Sequence, residues 1–259
     1  MVKFGFFLFN LVIKCNRDRI LERAAGLTFR VLLAFFPFLV FLMALMGFMD
    51  VDESAILDGL YTALPGDVAT LVSDFIGELA DTRSTGLLSA ALFFSVYNTT
   101  NGFRAIIRIT NAAYGVRERR GLAAQIGLSF ALMFMFSAAL IVMLGVLVFG
   151  ERVLSVVAAI AVLLFFTAAI YRLALAKPVP ARYIFPGAVV TVFAWLVVGA
   201  TFGFVTRNFT QYPAIYGSIA GVFILILWLN AVSIILLAGN EINSMLYEFA
   251  PPNTNIPTN

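Results

Sequence analysis

In the stretch YNTTNGFRAIIRITNAAYG, residues 97–115, polar side chains recur at helical spacing inside apolar surroundings. At 100° per residue, Tyr97, Asn101, Arg104, Arg108 and Asn111 fall within one narrow sector, and Asn98 widens that face. Phe103, Ile106, Ile109 and Thr110 take the other side. A guanidinium is a planar cation whose forked donors match phosphate or carboxylate oxygens, and asparagines add neutral donors and acceptors. The chemistry such a stripe offers is recognition of an anion. A second polar group, Asn240, Glu241 and Asn243, ends the last apolar run, and Glu241 has no basic partner in its own tail. Arg30, Arg104 or Arg108 would serve as that partner. Two readings follow: a bridge that closes a bundle, or an acid that orients arginines around a bound anion.

The elements that must carry these residues are membrane helices. The chain is 62% hydrophobic and 12% charged, with 27 phenylalanines in 259 residues, which marks lipid as the solvent. Five segments, Val31–Met49, Leu122–Phe149, Val153–Ile170, Ile184–Thr206 and Ile215–Ala238, are each long enough to cross roughly 30 Å of hydrocarbon. Leu87–Tyr97 is too short to span unless the polar stretch continues it. Charge decides that question. If residues 86–110 cross, fourteen of the seventeen basic residues lie on one side, and only Arg83, Arg152 and Arg207 lie opposite. The expectation is therefore six transmembrane helices with both termini in the cytoplasm. Counted from Gly86, Asn98 and Asn101 then sit about 18 and 23 Å along the span, and Arg104 and Arg108 about 27 and 33 Å.

Residues 2–14, VKFGFFLFNLVIK, read as an interfacial helix with Lys3 and Lys14 snorkelling to headgroups. Pro37 inside the first span is expected to kink it or free a carbonyl. Residues 50–85 hold eight of the fourteen acids, and Val68, Leu71, Val72, Phe75, Ile76 and Leu79 recur at helical spacing. They predict an external acidic helical hairpin, broken at Pro65–Asp67 and packed on the outer face of the bundle. GATFG at 199–203 and GSIAG at 217–221 are small-xxx-small pairs that permit close helix approach. KPVPARYIFPG at 177–187 reads as a short cytoplasmic loop, and the tail at 251–259 as disordered. Residues 1–250 form one integral membrane domain on this reading.

One cysteine and no histidine leave out disulfides and imidazole metal sites, and a net charge of +3 does not mark a nucleic-acid surface. A histidine-free hydrolase would need clustered carboxylates around metal. Asp18, Glu22, Glu118, Glu241 and Glu248 are scattered instead. No nucleotide-binding loop is present, so direct use of ATP would need another protein. No cofactor and no metal are expected.

Together, AAGLTFRVLLAFFPFLVFL, NGFRAIIRITNAAYGVRERR, FPGAVVTVFAWLVVGATFGFVTRNF and YGSIAGVFILILWLNAVSIILLAGNEIN resemble the YihY/BrkB family of bacterial inner-membrane proteins. The most specific part is Tyr216–Gly217, Trp228 and Gly239–Asn240–Glu241. The resemblance runs from about Leu21 to Asn243 and implies a six-helix, multi-pass inner-membrane protein. The family it implies has been linked to serum resistance and to envelope lipid export, and it once bore a ribonuclease BN label.

The resulting expectation is an all-α, multi-pass membrane protein that is not an enzyme. It would export or transport an anionic or amphipathic, lipid-like substrate through a cytoplasm-facing cavity. Arg30, Arg104 and Arg108 would neutralise the anion. Asn98, Asn101, Asn111 and Asn240 would supply neutral hydrogen bonds, and Glu241 would orient the arginines. The partners are the lipid bilayer and that substrate; a homo-oligomer is left open. The alternative is a non-transporting envelope scaffold or assembly factor. Substrate flux separates the two.

Overall fold

The computed structural model describes residues 2–47, 61, 68–74, 85–149, 152–208 and 218–249. They form helices α1 (Val2–Arg17), α2 (Ile20–Gly47), α3 (Thr85–Ala113), α4 (Leu122–Phe149), α5 (Arg152–Ala174), α6 (Phe185–Asn208) and α7 (Ser218–Glu248), with a 3-10 turn at Ala181–Tyr183. No strand occurs among the described residues. Five of these helices (α2 and α4–α7) are long and apolar enough to cross a membrane. α3, at 29 residues, is longer than all of these except α7 and is unbroken, but its polar stripe lowers its hydropathy. It packs more extensively against α2 than any other helix pair does, so the stripe belongs to the bundle. This is an all-α, multi-pass membrane protein.

The core forms where α2, α3, α4 and α5 meet. The Phe136 ring lies 5.3 Å from Phe38, 6.3 Å from Phe103 and 5.1 Å from Phe166, centroid to centroid. In lipid, where apolar contact alone gives helices little reason to associate, hydrogen bonds and close packing specify the neighbours. Thr28 of α2 lies 3.2 Å from the Ser233 hydroxyl of α7, and Asn230 donates to Thr28 at 3.3 Å. Tyr171 of α5 donates to the Leu236 carbonyl at 2.7 Å and meets the Thr191 hydroxyl of α6 at 2.8 Å, so one phenol ties three helices.

Glycine permits close contact of α6 with α7 at Gly187 and Gly239, whereas GSIAG begins outside the described residues. A Cβ on Gly187 would strike the Gly239 carbonyl and the Asn243 side chain, and one on Gly239 would strike Thr191 and Tyr171. A Cβ on Gly199 or Gly203 would meet nothing within 4 Å among the described residues, so no close approach of a neighbouring described helix is seen at GATFG. The physical reason is which face α6 turns inward, and a single helix does not reveal that.

α2 runs through Pro37 as one helix. The outer hairpin lies mostly outside the described residues, as does the tail. Residues 68–74 are helical, with Val68 and Val72 fully buried against Leu39 of α2 and Leu225 and Leu229 of α7. This segment therefore covers one end of the bundle. The opposite end gathers α1, the 114–121 and 175–184 connections and the end of α7, together with most of the basic residues.

Candidate functional site

α1 enters α2 through a two-residue turn in which Arg19 adopts a left-handed φ of 49°. That tight turn brings α1 back across the basic end, where it docks on α7. Lys14 is the contact: its ammonium donates to Glu248 at 2.6 Å and to the Ser244 hydroxyl at 2.8 Å, and lies 3.8 Å from Glu241. Lys14 is 6% exposed and Glu241 1%. The expected snorkelling of Lys14 is thus corrected. Two acids seven residues apart on α7 draw its ammonium inward, because a buried carboxylate without a cation costs more than a lysine costs to desolvate beside one. The counter-ion of Glu241 is likewise Lys14, where Arg30, Arg104 or Arg108 were the expected candidates. Burial, followed by the charges of Glu241 and Asp18, pushes the neighbouring Cys15 thiol up to about 11, so it stays protonated and inert. Burial and the Glu241 and Glu248 charges also raise the Tyr114 phenol.

The end of α3 is closed by a glycine and locked by a side chain. Gly115 has a φ of 63°, and the Val116 amide donates to the Asn111 carbonyl at 2.9 Å, the six-to-one bond of a glycine-terminated helix. The Asn111 amide donates to the Ala174 carbonyl at 3.0 Å and to Glu118 at 2.9 Å, and its oxygen accepts from the Ala176 amide at 2.7 Å. Arg120 grips Glu118 at 2.7 Å and the Ala174 carbonyl at 2.6 Å. The hydrogen bond from Arg120 is the main reason the Glu118 carboxyl lies below its ordinary range. Asn111, a member of the predicted stripe, is 2% exposed and is spent on joining α3 to α5.

The other stripe residues separate. Arg23, Gly26, Leu27 and Arg30 of α2 and Ala105, Arg108 and Ile109 of α3 line a cleft of about 170 Å³. Arg30 and Arg108 are exposed and Arg104, one turn along α3, is half-buried. Among the described residues, no acid lines this cleft. Arg23 has a buried Nη1 without a hydrogen-bond partner, and the Arg104 Nε is buried and unpaired as well. Asn98 and Asn101 are half-buried farther along α3 and do not line the cleft.

Glu241 and Asn240 lie outside the cleft lining, so the geometry assembles three arginines there without them. Asn240 is 1% exposed, and neither of its side-chain polar atoms has a partner among the described residues. The Asn243 oxygen accepts from the Gly187 amide at 2.7 Å and so caps the start of α6. The two residues sequence reasoning missed are Arg23 and Lys14. Arg23 stands seven positions before Arg30, two helical turns away on the same face, and that spacing was the available signal.

The model of the family described as virulence factor BrkB matches residues 11–257. A ribonuclease-like protein named YfkH, from Bacillus subtilis, is 31% identical over 251 residues, covering 88% of this chain and 90% of its own. A UPF0761 membrane protein of Alteromonas mediterranea is 26% identical, covering 93% of this chain and 88% of its own. One from Neisseria meningitidis serogroup B is also 26% identical over 93% of this chain, which spans only 63% of that longer relative. No solved structure matches. With a multi-pass helical bundle and a family match over nearly its whole length, the chain belongs to the BrkB virulence-factor family of bacterial membrane proteins.

Proposed function

We propose that this protein is a transporter or exporter that takes up an anionic, amphipathic solute at the arginine-lined cleft between α2 and α3. The observation that carries the reading is the cleft itself, lined by Arg23, Arg30 and Arg108 with no acid among the described residues. Neighbouring cations without an internal counter-ion favour an external one, and guanidinium is suited to phosphate or carboxylate. The same two helices also expose apolar surface beyond the cleft: Leu33 of α2 is 50% exposed and Tyr97 of α3 is 60% exposed. An acyl chain would lie along them while its headgroup met the arginines. At about 170 Å³ the cleft suits a headgroup rather than a whole ligand. The collection of basic residues at this end supports placing it, and both termini, on the cytoplasmic side.

Catalysis has no positive support. The chain lacks histidine, and no group of three His, Cys, Asp or Glu side chains gathers among the described residues.

The test uses purified protein in proteoliposomes, with binding and flux of a fluorescent short-chain anionic phospholipid and its zwitterionic counterpart. In the double variant R30Q/R108Q, each lost charge-assisted contact should cost about 1.5–3 kcal/mol, hence at least about tenfold in affinity for the anionic lipid. Both side chains reach solvent, so the fold should survive. A folded double variant with unchanged binding and flux sinks the cleft reading. Binding without flux in the parent protein favours a scaffold.

A further inference from the structure

We infer that the α2–α3 cleft is a seat for a terminal phosphate, a phosphomonoester dianion, with Gly26 as its floor. The inference rests on the anion-binding reading above and names the chemical class of the headgroup.

Arg23, Gly26 and Arg30 stand at i, i+3 and i+7 of α2, so they share one face of that helix. Arg108 of α3 joins them in the lining, and the remaining side chains there are apolar. None of the three arginines forms an ion pair among the described residues. The acids nearest to Arg23 in sequence are already engaged: Asp18 faces Arg17 at 3.6 Å and Glu22 faces Arg19 at 3.5 Å. Arg23 also keeps a buried Nη1 with no hydrogen-bond partner among the described residues. Three positive charges therefore line one space of about 170 Å³ whose other walls are apolar. Such walls strengthen the pull on an entering anion.

Oxygen count and charge select among anions. A carboxylate or a phosphodiester offers two free oxygens and a single charge. A terminal phosphate offers three oxygens and, above its second ionisation at about pH 6, close to two charges. Three guanidiniums match the second set on both counts, each with a forked pair of donors for one oxygen edge.

Gly26 gives the phosphate its room. Glycine is a poor helix former, yet it stands here inside α2. A Cβ built on Gly26 would meet nothing within 4 Å, so packing against a neighbouring helix does not account for the missing side chain. The space beside it is the cleft. Any larger residue between Arg23 and Arg30 would stand where the phosphate oxygens must lie.

Calorimetric titration of the purified protein in uncharged detergent and phosphate-free buffer tests this, with blank micelles as the reference. The probes are dihexanoyl phosphatidate, dihexanoyl phosphatidylglycerol and soluble glycerol 3-phosphate, each at about pH 5 and about pH 8, on either side of the second ionisation. At the higher pH, phosphatidate should bind at least about tenfold more tightly than phosphatidylglycerol, through one further charge-assisted contact. That preference should shrink at the lower pH, where both lipids carry one charge; guanidinium keeps its charge throughout. R23Q should bring the preference at the higher pH close to parity. Glycerol 3-phosphate binding as tightly as phosphatidate supports the dianion and identifies a soluble ester as sufficient; phosphatidate binding alone supports it for a lipid. G26L keeps all three arginines and should melt no lower than the parent. It should lose at least about tenfold in phosphatidate affinity by filling the seat, and G26A should lose less in the same direction.

Equal affinity for the two lipids at the higher pH, or a preference unchanged between the two pH values, overturns the phosphomonoester assignment while leaving an anion site in the cleft. An unchanged preference in R23Q removes Arg23 from the seat. A folded G26L that binds phosphatidate like the parent overturns the role of Gly26; should G26L fail to fold, unchanged affinity in G26A does so. If no probe binds wild-type protein, the cleft reading and this inference fall together.

Discussion

Lys14 shows how much a single buried side chain can carry. Its ammonium compensates Glu248 at 2.6 Å and Glu241 at 3.8 Å, and it is the described ion pair between α1 and α7. Lys14→Met would leave Glu241 buried beside a second carboxylate. The expected cost is about 2–3 kcal/mol, below the range for a fully buried pair because Glu248 stays half-exposed. Thermal unfolding in detergent should register this loss, and adding Glu241→Gln should recover part of it. A Lys14→Met variant that melts like the parent would show that α1 is held by other contacts. Glu118 makes a second prediction, about pH. Its folded carboxyl lies below the ordinary 4.5, so the stability it contributes is present above that value and is lost as pH falls through the lower folded value. The melting difference between wild type and Glu118→Gln should therefore be full at pH 7 and shrink in acid below about pH 4.5. A difference that grows in acid would contradict the sign.

Among the helices, Gly187 and Gly239 make the close α6–α7 contact, whereas a Cβ on Gly199 would meet open space. Gly187→Ala would push a methyl into the Gly239 carbonyl and the Asn243 side chain that caps α6. Since the obstruction includes backbone, repacking cannot absorb it, and destabilisation of about 1–3 kcal/mol or more is expected. Gly199→Ala meets open space and replaces glycine by the best helix former, so it should be neutral or stabilise by up to about 1 kcal/mol. Comparing the two melting temperatures checks the packing assignment. Equal and large losses would mean that Gly199 packs against something after all, such as another copy of the chain.

For the whole molecule, the arrangement to test is which end of the bundle faces the cytoplasm. The 114–121 and 175–184 connections, α1 and the end of α7 share one end, joined by Asn111 to Ala174 and by Lys14 to Glu248. The 68–74 helix covers the other end. In a Cys15→Ser background, single cysteines at the exposed positions Arg119 and Pro180 should label with a membrane-impermeant thiol reagent only from the cytoplasm. A cysteine at Asp74, also exposed, should label only from outside. Labelling of Asp74 and Arg119 variants from the same side would mean that α3 does not cross.

Helix number and membrane solvent were legible from the chain because both follow from local composition. A segment of twenty apolar residues has few alternatives in lipid, and the alternation of basic connections is the ground for expecting α3 to cross despite its polar stripe. The interest of that stripe was legible too, through the one-sided spacing of Arg104 and Arg108. Its division was not. Asn111 joins α5, Arg108 faces the cleft with Arg30, and Glu241 goes to Lys14, some 230 residues away in sequence. Helical periodicity fixes which residues share a face of one helix, but not which neighbour that face meets. That choice depends on the mutual rotation of helices set by contacts such as Gly187 on Gly239 and Tyr171 on Leu236. Arg23 became part of the candidate site for the same reason. Its charge was visible in the sequence, while its place beside Arg30 and Arg108 in the cleft exists only once α2 and α3 are packed.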